Sequence, residues 1–114
     1  MMASQSNPRL SFASYNCRGI NDQKVDYVRE LMNVHDVLFI QEHWRLDEGL
    51  SLLERQLQVA NVFGKSGMDA TCMLTGRPFG GCAVLVKKTL QCTVSPIDTN
   101  NRRLFSCILR FPND

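Results

Sequence analysis

Two residues of this sequence combine a chemically capable side chain with a suggestive position. Glu42 follows "DVLFIQ", residues 36–41, and precedes His43 and Trp44, so an apolar run that reads as buried ends in groups that seek water, protons or metal. Asn16 stands near the end of a second such run, "LSFASYNC", residues 10–17. A carboxylate and a side-chain amide offer the oxygen ligands that a hard cation such as Mg²⁺ accepts, with water completing the shell. One carboxylate is enough where a substrate brings further oxygens. The plainer reading is that Glu42 faces solvent where a strand ends and that Asn16 caps or turns the chain, since polar residues are common at such places.

Whether the two residues meet depends on the elements between them. Residues 10–17, rich in aromatic and small apolar side chains, predict a strand that Arg18, Gly19 and Ile20 break. From Asn21 or Asp22 as N-cap, Val25, Val28, Leu31 and Met32 recur at helical spacing among Lys24, Arg29 and Glu30. That pattern predicts an amphipathic helix to about Val34, ending at His35. "DVLFI", residues 36–40, is too short an apolar run for a typical helix and fits a strand buried on both faces. A helical crossover is what neighbouring parallel strands require. If these two strands are neighbours, Asn16 and the Gln41–Glu42 pair emerge at one edge, the C-terminal edge where open parallel sheets bind ligands and helices aim their positive ends.

Leu46, Leu50, Leu53 and Leu57 predict a second amphipathic helix, with Asp47 and Glu48 suited to its N-terminus. "VANVF", residues 59–63, resembles a strand, and residues 64–81, with five glycines and Pro78, a long loop. "CAVLVKK" (82–88), "CTVSPI" (92–97) and "RLFSCILRF" (103–111) read as strands, the first two joined through Thr89 and Leu90 as a hairpin. The closing "PND" is a turn signal that normally launches another strand.

At 114 residues the chain is one domain at most. Its 44% hydrophobic and 21% charged residues are those of an ordinary soluble globular protein. A net charge of +2 does not declare a nucleic-acid binder but leaves room for a local patch at Arg102 and Arg103. That pair would contact phosphates without sequence selectivity, or form an exposed charged strand end. Trp44 would stack on a base or sugar, or pack beside a helix start. Cys17, Cys72, Cys82, Cys92 and Cys107 contain no C-x-x-C pair and are odd in number, which argues against a disulfide framework or a structural zinc site. Gly64, Lys65 and Ser66 lack the glycine five residues earlier that a phosphate loop needs, Val59 standing there. No segment suits a signal peptide or a transmembrane helix, so an intracellular protein without a membrane partner is expected, with a disordered tail over residues 1–9 and one folded part over residues 10–114.

"SYNCRGI" (14–20), "DVLFIQEHW" (36–44) and "GRPFGGCAVLV" (76–86), in this order, resemble the opening half of the endonuclease/exonuclease/phosphatase superfamily. The "QEHW" and "RPFGG" wording is most similar to the apurinic-type endonuclease domain of non-LTR retrotransposons and their domesticated relatives. The resemblance implies an α/β (α+β) fold, a four-layer α/β/β/α sandwich present as its N-terminal half. It also implies Mg²⁺-dependent cleavage of DNA phosphodiester bonds, with Mn²⁺ as a substitute, and a nuclear place of action. By that resemblance Asn16 and Glu42 are the catalytic and metal-binding residues, and DNA is the partner that Arg102, Arg103 and Trp44 would touch. The metal would act as a Lewis acid on the phosphate oxygen and stabilise the leaving oxyanion.

The family's second half carries a strand-end Tyr, a Gly-Asp-x-Asn motif and a final Ser-Asp-His, and none of these is found here. Asp98, Thr99 and Asn100 spell D-x-N, but without the preceding Gly and in a turn after Pro96. Neither His35 nor His43 follows Ser-Asp, and His43 would face away from Glu42 if the strand continued. The expectation is a fragment of a nuclease domain, inactive alone. The alternative is a non-catalytic domesticated remnant, an interaction or nucleic-acid-binding module that self-associates through an exposed sheet surface and open strand edge. A phosphorylated lipid or small-molecule substrate is a third reading. An open doubly wound domain is a fourth, although residues 82–111 read as consecutive strands rather than alternating with helices.

Overall fold

The computed structural model of the protein describes residues 9–68, 80–101 and 103–112. Arg102, Cys72, most of the "RPFGG" wording, nearly all of the expected N-terminal tail and the end of "PND" lie outside these residues. The elements are β1 (Phe12–Asn16), α1 (Asp22–Val34), β2 (Val37–Gln41), α2 (Asp47–Leu57), β3 (Ala60–Lys65), β4 (Cys82–Lys87), β5 (Thr93–Ile97) and β6 (Ser106–Arg110).

Helix α1 begins where its cap predicts. Asn21 keeps extended backbone and its side chain accepts the Lys24 N–H at 2.9 Å, satisfying one of the helix's unpaired donors. The helix buries Val25, Val28 and Met32 and stops at His35, which returns to extended backbone. There His35 Nδ1 lies 2.7 Å from Ser11 Oγ, and the Asp36 carboxylate accepts the Ser11 N–H at 3.0 Å. The end of the helix is thereby fastened to the start of β1. Helix α2 buries Leu50, Leu53 and Leu57, carries Asp47 and Glu48 in its first turn, and ends at Gln58 in left-handed backbone, φ 63°.

Strands β1 and β2 are parallel neighbours with Asn16 opposite Gln41, as the crossover argument required. The full order is β1-β2-β4-β3, and β4 is antiparallel to both its neighbours. The expected β4–β5 hairpin is not formed. Ala83, Val84, Leu85 and Val86 are all buried, so β4 takes a central place with a strand on each side, and β5 has no free edge of β4 to join. The chain instead leaves this sheet, and β5 pairs with β6 in a second, two-stranded sheet.

The two faces of the larger sheet make two cores. Leu38, Ile40, Ala83 and Leu85 pack with Val28, Met32, Leu50, Leu53 and Leu57 of the helices. On the opposite face Val37, Val84 and Val86 pack with Val94, Cys107 and Leu109 of the second sheet and with Phe105 just before β6. The result is a mixed α/β layering of helices, sheet and sheet. Strand β2 departs from the expected double burial at Phe39, which is 37% exposed and stacks on Phe12, itself 48% exposed, with centroids 6.3 Å apart. Val37 is enclosed on this face in a cluster with Val94, Cys107 and Leu109, whereas Phe39 lines a groove with Leu104 and Cys107. Among the described residues no helix is long and apolar enough to cross a membrane.

Candidate metal and phosphate site

Pairing between the first two strands continues past their ends. Cys17 N–H donates to Gln41 O at 2.8 Å, Gly19 N–H to Glu42 O at 2.7 Å and Ile20 N–H to His43 O at 3.1 Å, so the loop after β1 runs beside the segment after β2. This alignment brings Asn16 and Glu42 together, and Asn16 Nδ2 donates to Glu42 Oε2 at 2.8 Å. Asn16 is exposed and Glu42 half-buried, so the pair opens to solvent. The bond engages one carboxylate oxygen and the amide nitrogen, not the other two side-chain oxygens.

The segment that carries Glu42 is held in an unusual backbone shape. Glu42 has φ 54° and Trp44 φ 58°, left-handed values that cost a non-glycine residue roughly 1–2 kcal/mol each. The neighbouring side chains explain why the shape persists. His43 is 0% exposed, its Nε2 lies 2.9 Å from Lys65 O, and its Nδ1 accepts the Arg45 N–H at 2.9 Å. Gly81 leaves room for that ring, since a Cβ there would stand 2.3 Å from His43 Cε1. The φ of 90° at Gly81 calls for glycine independently. The Trp44 indole lies against Gly19, where a Cβ would meet its Cε3 at 2.3 Å.

His43 does not occupy the opposite face of a continuing strand, because β2 ends at Gln41 and the left-handed turn at Glu42 sends the imidazole into the core. Accepting at Nδ1 requires the neutral ring with its proton on Nε2, donated to Lys65 O. Burial lowers its pKa from 6.5, and the Lys65 carbonyl acts in the opposite sense. The unfolded chain takes up a proton below pH 6.5 while the folded chain does not, so this stability is fully present above pH 6.5 and is lost as pH falls toward the depressed folded value. Urea melts over about pH 5 to 8 are expected to show a midpoint that falls on the acid side, and His43→Gln to flatten that fall. Cys17, next to Asn16, is no nucleophile: burial pushes its thiol pKa up to about 12, against the opposing pull of Lys24.

A cationic side chain shares a cavity with Glu42. Arg103 lines a cavity of about 310 Å³ together with Gln41, Glu42, Gly80, Gly81 and Cys82. Its loop is anchored from β3, where Lys65 Nζ donates to Thr99 Oγ1 at 2.7 Å and to Asn101 O at 3.0 Å, while Asn101 Oδ1 accepts the Arg103 N–H at 2.9 Å. Asp98, Thr99 and Asn100 therefore belong to the β5–β6 connection, as their turn chemistry predicts, and Lys65 is a strand-end tether rather than part of a phosphate loop. Trp44 borders a second cavity of about 340 Å³ with Arg18, Asn21 and Lys24. Sequence reasoning passed over Arg18 and Lys24, whose signal is their place on the loop and helix start directly after Asn16.

Among the described residues no three His, Cys, Asp or Glu side chains converge on a metal position. Asn16 and Glu42 supply hard oxygen donors, which suit Mg²⁺ with a shell completed by water and substrate, and offer nothing to a metal that prefers nitrogen or sulfur. Comparison with known proteins adds one finding: the profile of the Endonuclease/Exonuclease/phosphatase family matches residues 13–114. No curated protein and no solved structure matches the chain.

Proposed function

Because this chain belongs to the endonuclease/exonuclease/phosphatase family, we propose that it forms the first half of a Mg²⁺-dependent DNA endonuclease domain of retrotransposon origin. The complete domain is a four-layer sandwich that acts in the nucleus. The observation that carries this reading is the Asn16–Glu42 hydrogen bond of 2.8 Å across the C-terminal ends of two parallel strands, with Arg103 on the same cavity as Glu42. The "QEHW" and "RPFGG" wording supports the retrotransposon-type subclass.

Glu42 holds the cation, Mg²⁺ or Mn²⁺, and the Asn16 amide fixes the carboxylate's orientation and shares the site through its oxygen. A divalent ion bound there supplies Lewis-acid polarisation of a phosphate oxygen. Arg103 adds a guanidinium on the same cavity, whose planar fork of donors suits a phosphate oxygen. Arg18, Lys24 and Trp44 extend the surface along the DNA strand by phosphate contacts and stacking, without reading sequence.

These residues include no general base for the attacking water. His43 is enclosed, and the 114 residues contain neither Gly-Asp-x-Asn nor Ser-Asp-His. The chain by itself is therefore expected to leave supercoiled plasmid and abasic oligonucleotide intact in Mg²⁺. Nicking that Glu42→Ala abolishes would show a complete site and overturn this reading.

A second reading, a non-catalytic interaction module, is favoured by one specific feature. Phe12, Phe39, Leu104 and Ile108 are exposed, β1 is an edge strand, and Phe39, Leu104 and Cys107 line a groove of about 400 Å³ between the sheets. Exposed apolar sheet surface of this kind promotes association. Concentration-dependent oligomers on a sizing column, reduced by Phe39→Ser, would support that module; a monomer throughout would count against it.

A further inference from the structure

We infer that His43, a residue that never touches the substrate, positions the Glu42 carboxylate for its cation by locking the left-handed turn on which that carboxylate stands. The inference rests on the reading of Glu42 as a cation ligand. Glu42 lies between two fixed lines of backbone: its carbonyl accepts the Gly19 N–H at 2.7 Å, and the next residue's N–H reaches Gly81 O at 3.4 Å.

The imidazole ties this segment to two other parts of the chain, to β3 through Lys65 O and to the entry of α2 through the Arg45 N–H, both at 2.9 Å. Arg45 is in turn fixed, its guanidinium donating to Ile20 O, Gly49 O and the Gln56 side chain. The ring fills a fully buried space that Gly81 leaves open. Losing both hydrogen bonds frees this segment from β3 and from the entry of α2 and leaves only its backbone pairing to Gly19, Ile20, Gly80 and Gly81 to oppose relaxation of Glu42 from φ 54° toward ordinary extended backbone, which would turn its side chain away from Asn16. Lys65 also holds Thr99 in the loop that carries Arg103, so one residue of β3 supports both the anionic and the cationic side of the cavity.

The test compares near-isosteric replacements in the full chain. His43→Gln keeps an N–H donor for Lys65 O and an oxygen acceptor for the Arg45 N–H. His43→Met fills similar space and offers neither. Each is titrated with MnCl₂ alone while paramagnetic broadening of the Asn16, Gln41 and Glu42 amide signals is followed, with thermal melts on the same samples. Supporting partners of a metal ligand typically contribute a factor of about 10 or more in metal affinity, so Met is expected to weaken Mn²⁺ binding about tenfold and Gln by less than about 3-fold, in samples equally folded.

Met broadening the same signals at the wild-type Mn²⁺ concentration, whatever its melting temperature, would reduce His43 to a packing residue and overturn the inference. If Met does not fold, His43→Asn replaces it, because Asn reaches the Arg45 N–H but not Lys65 O; binding by Asn equal to that by Gln overturns the inference in the same way. Glu42→Gln is the separate control. If it leaves the broadening unchanged, the assignment of Glu42 is what fails, and the role of His43 falls with it.

Discussion

Gly64→Val is expected to destabilise the protein by roughly 4 kcal/mol, a large share of the 5–15 kcal/mol that hold a typical domain together. Gly64 sits opposite Ala83 in the β3–β4 ladder, and a Cβ there would stand 2.4 Å from Ala83 Cβ and 2.6 Å from Cys82 O. Neither obstacle is the end of a flexible side chain. Strand β4 cannot retreat, because β2 is bonded along its other edge. The clash must therefore open the sheet next to Lys65, whose carbonyl meets His43 and whose ammonium holds the Thr99 loop. Urea melts of the wild type, Gly64→Ala and Gly64→Val should show graded loss, with valine near or past the threshold of folding. A valine variant as stable as the wild type would mean that β3 and β4 do not approach this closely.

Glu42→Ala is expected to remove the chain's response to Mg²⁺ while leaving its stability nearly untouched. Two protein oxygens and a shell of water predict a dissociation constant on the order of 1 mM. At about 20 times that concentration, bound Mg²⁺ would stabilise the fold by about 1.8 kcal/mol, or about 5–10 °C in melting temperature for a chain of this size. The Asn16–Glu42 bond lies at the surface, so losing it should cost under about 1 kcal/mol in the absence of metal. Thermal melts with and without MgCl₂ at constant ionic strength separate the two effects. An undiminished Mg²⁺ response in Glu42→Ala would move the cation to other carboxylates.

Helix α1 was legible from Asn21 to Val34 because its cap, its apolar spacing and its stop are all local features. So was the meeting of Asn16 with Glu42, since a helical crossover leaves two neighbouring strands little choice but to be parallel. Three features were not legible, each for a non-local reason. The partner of β4 depends on which strands already fill its edges, and "CAVLVKK" followed closely by "CTVSPI" fits a hairpin equally well when read alone. Phe39 lies in the same apolar run as Val37, but its burial depends on which distant side chains cover that face of the sheet. The turn at Glu42 is made by a non-glycine residue, so no residue type marks it; the nearest trace in the sequence is Gly81, whose missing side chain makes room for His43. Arg103, expected to contact phosphates or to end a strand, lies on the loop before β6 and borders the Glu42 cavity, the same loop being tethered from Lys65 to Thr99.

Whether the ends of β1 and β2 form a cation site is decided by locating bound Mn²⁺ on the wild-type chain through amide-signal broadening. Asn16, Gln41 and Glu42 are expected to broaden first, followed by Gly80, Gly81 and Cys82, which border the cavity of Glu42. Broadening centred instead on the acidic starts of the helices, at Asp22 and Asp26 or at Asp47 and Glu48, with Asn16 and Glu42 unaffected, would contradict it.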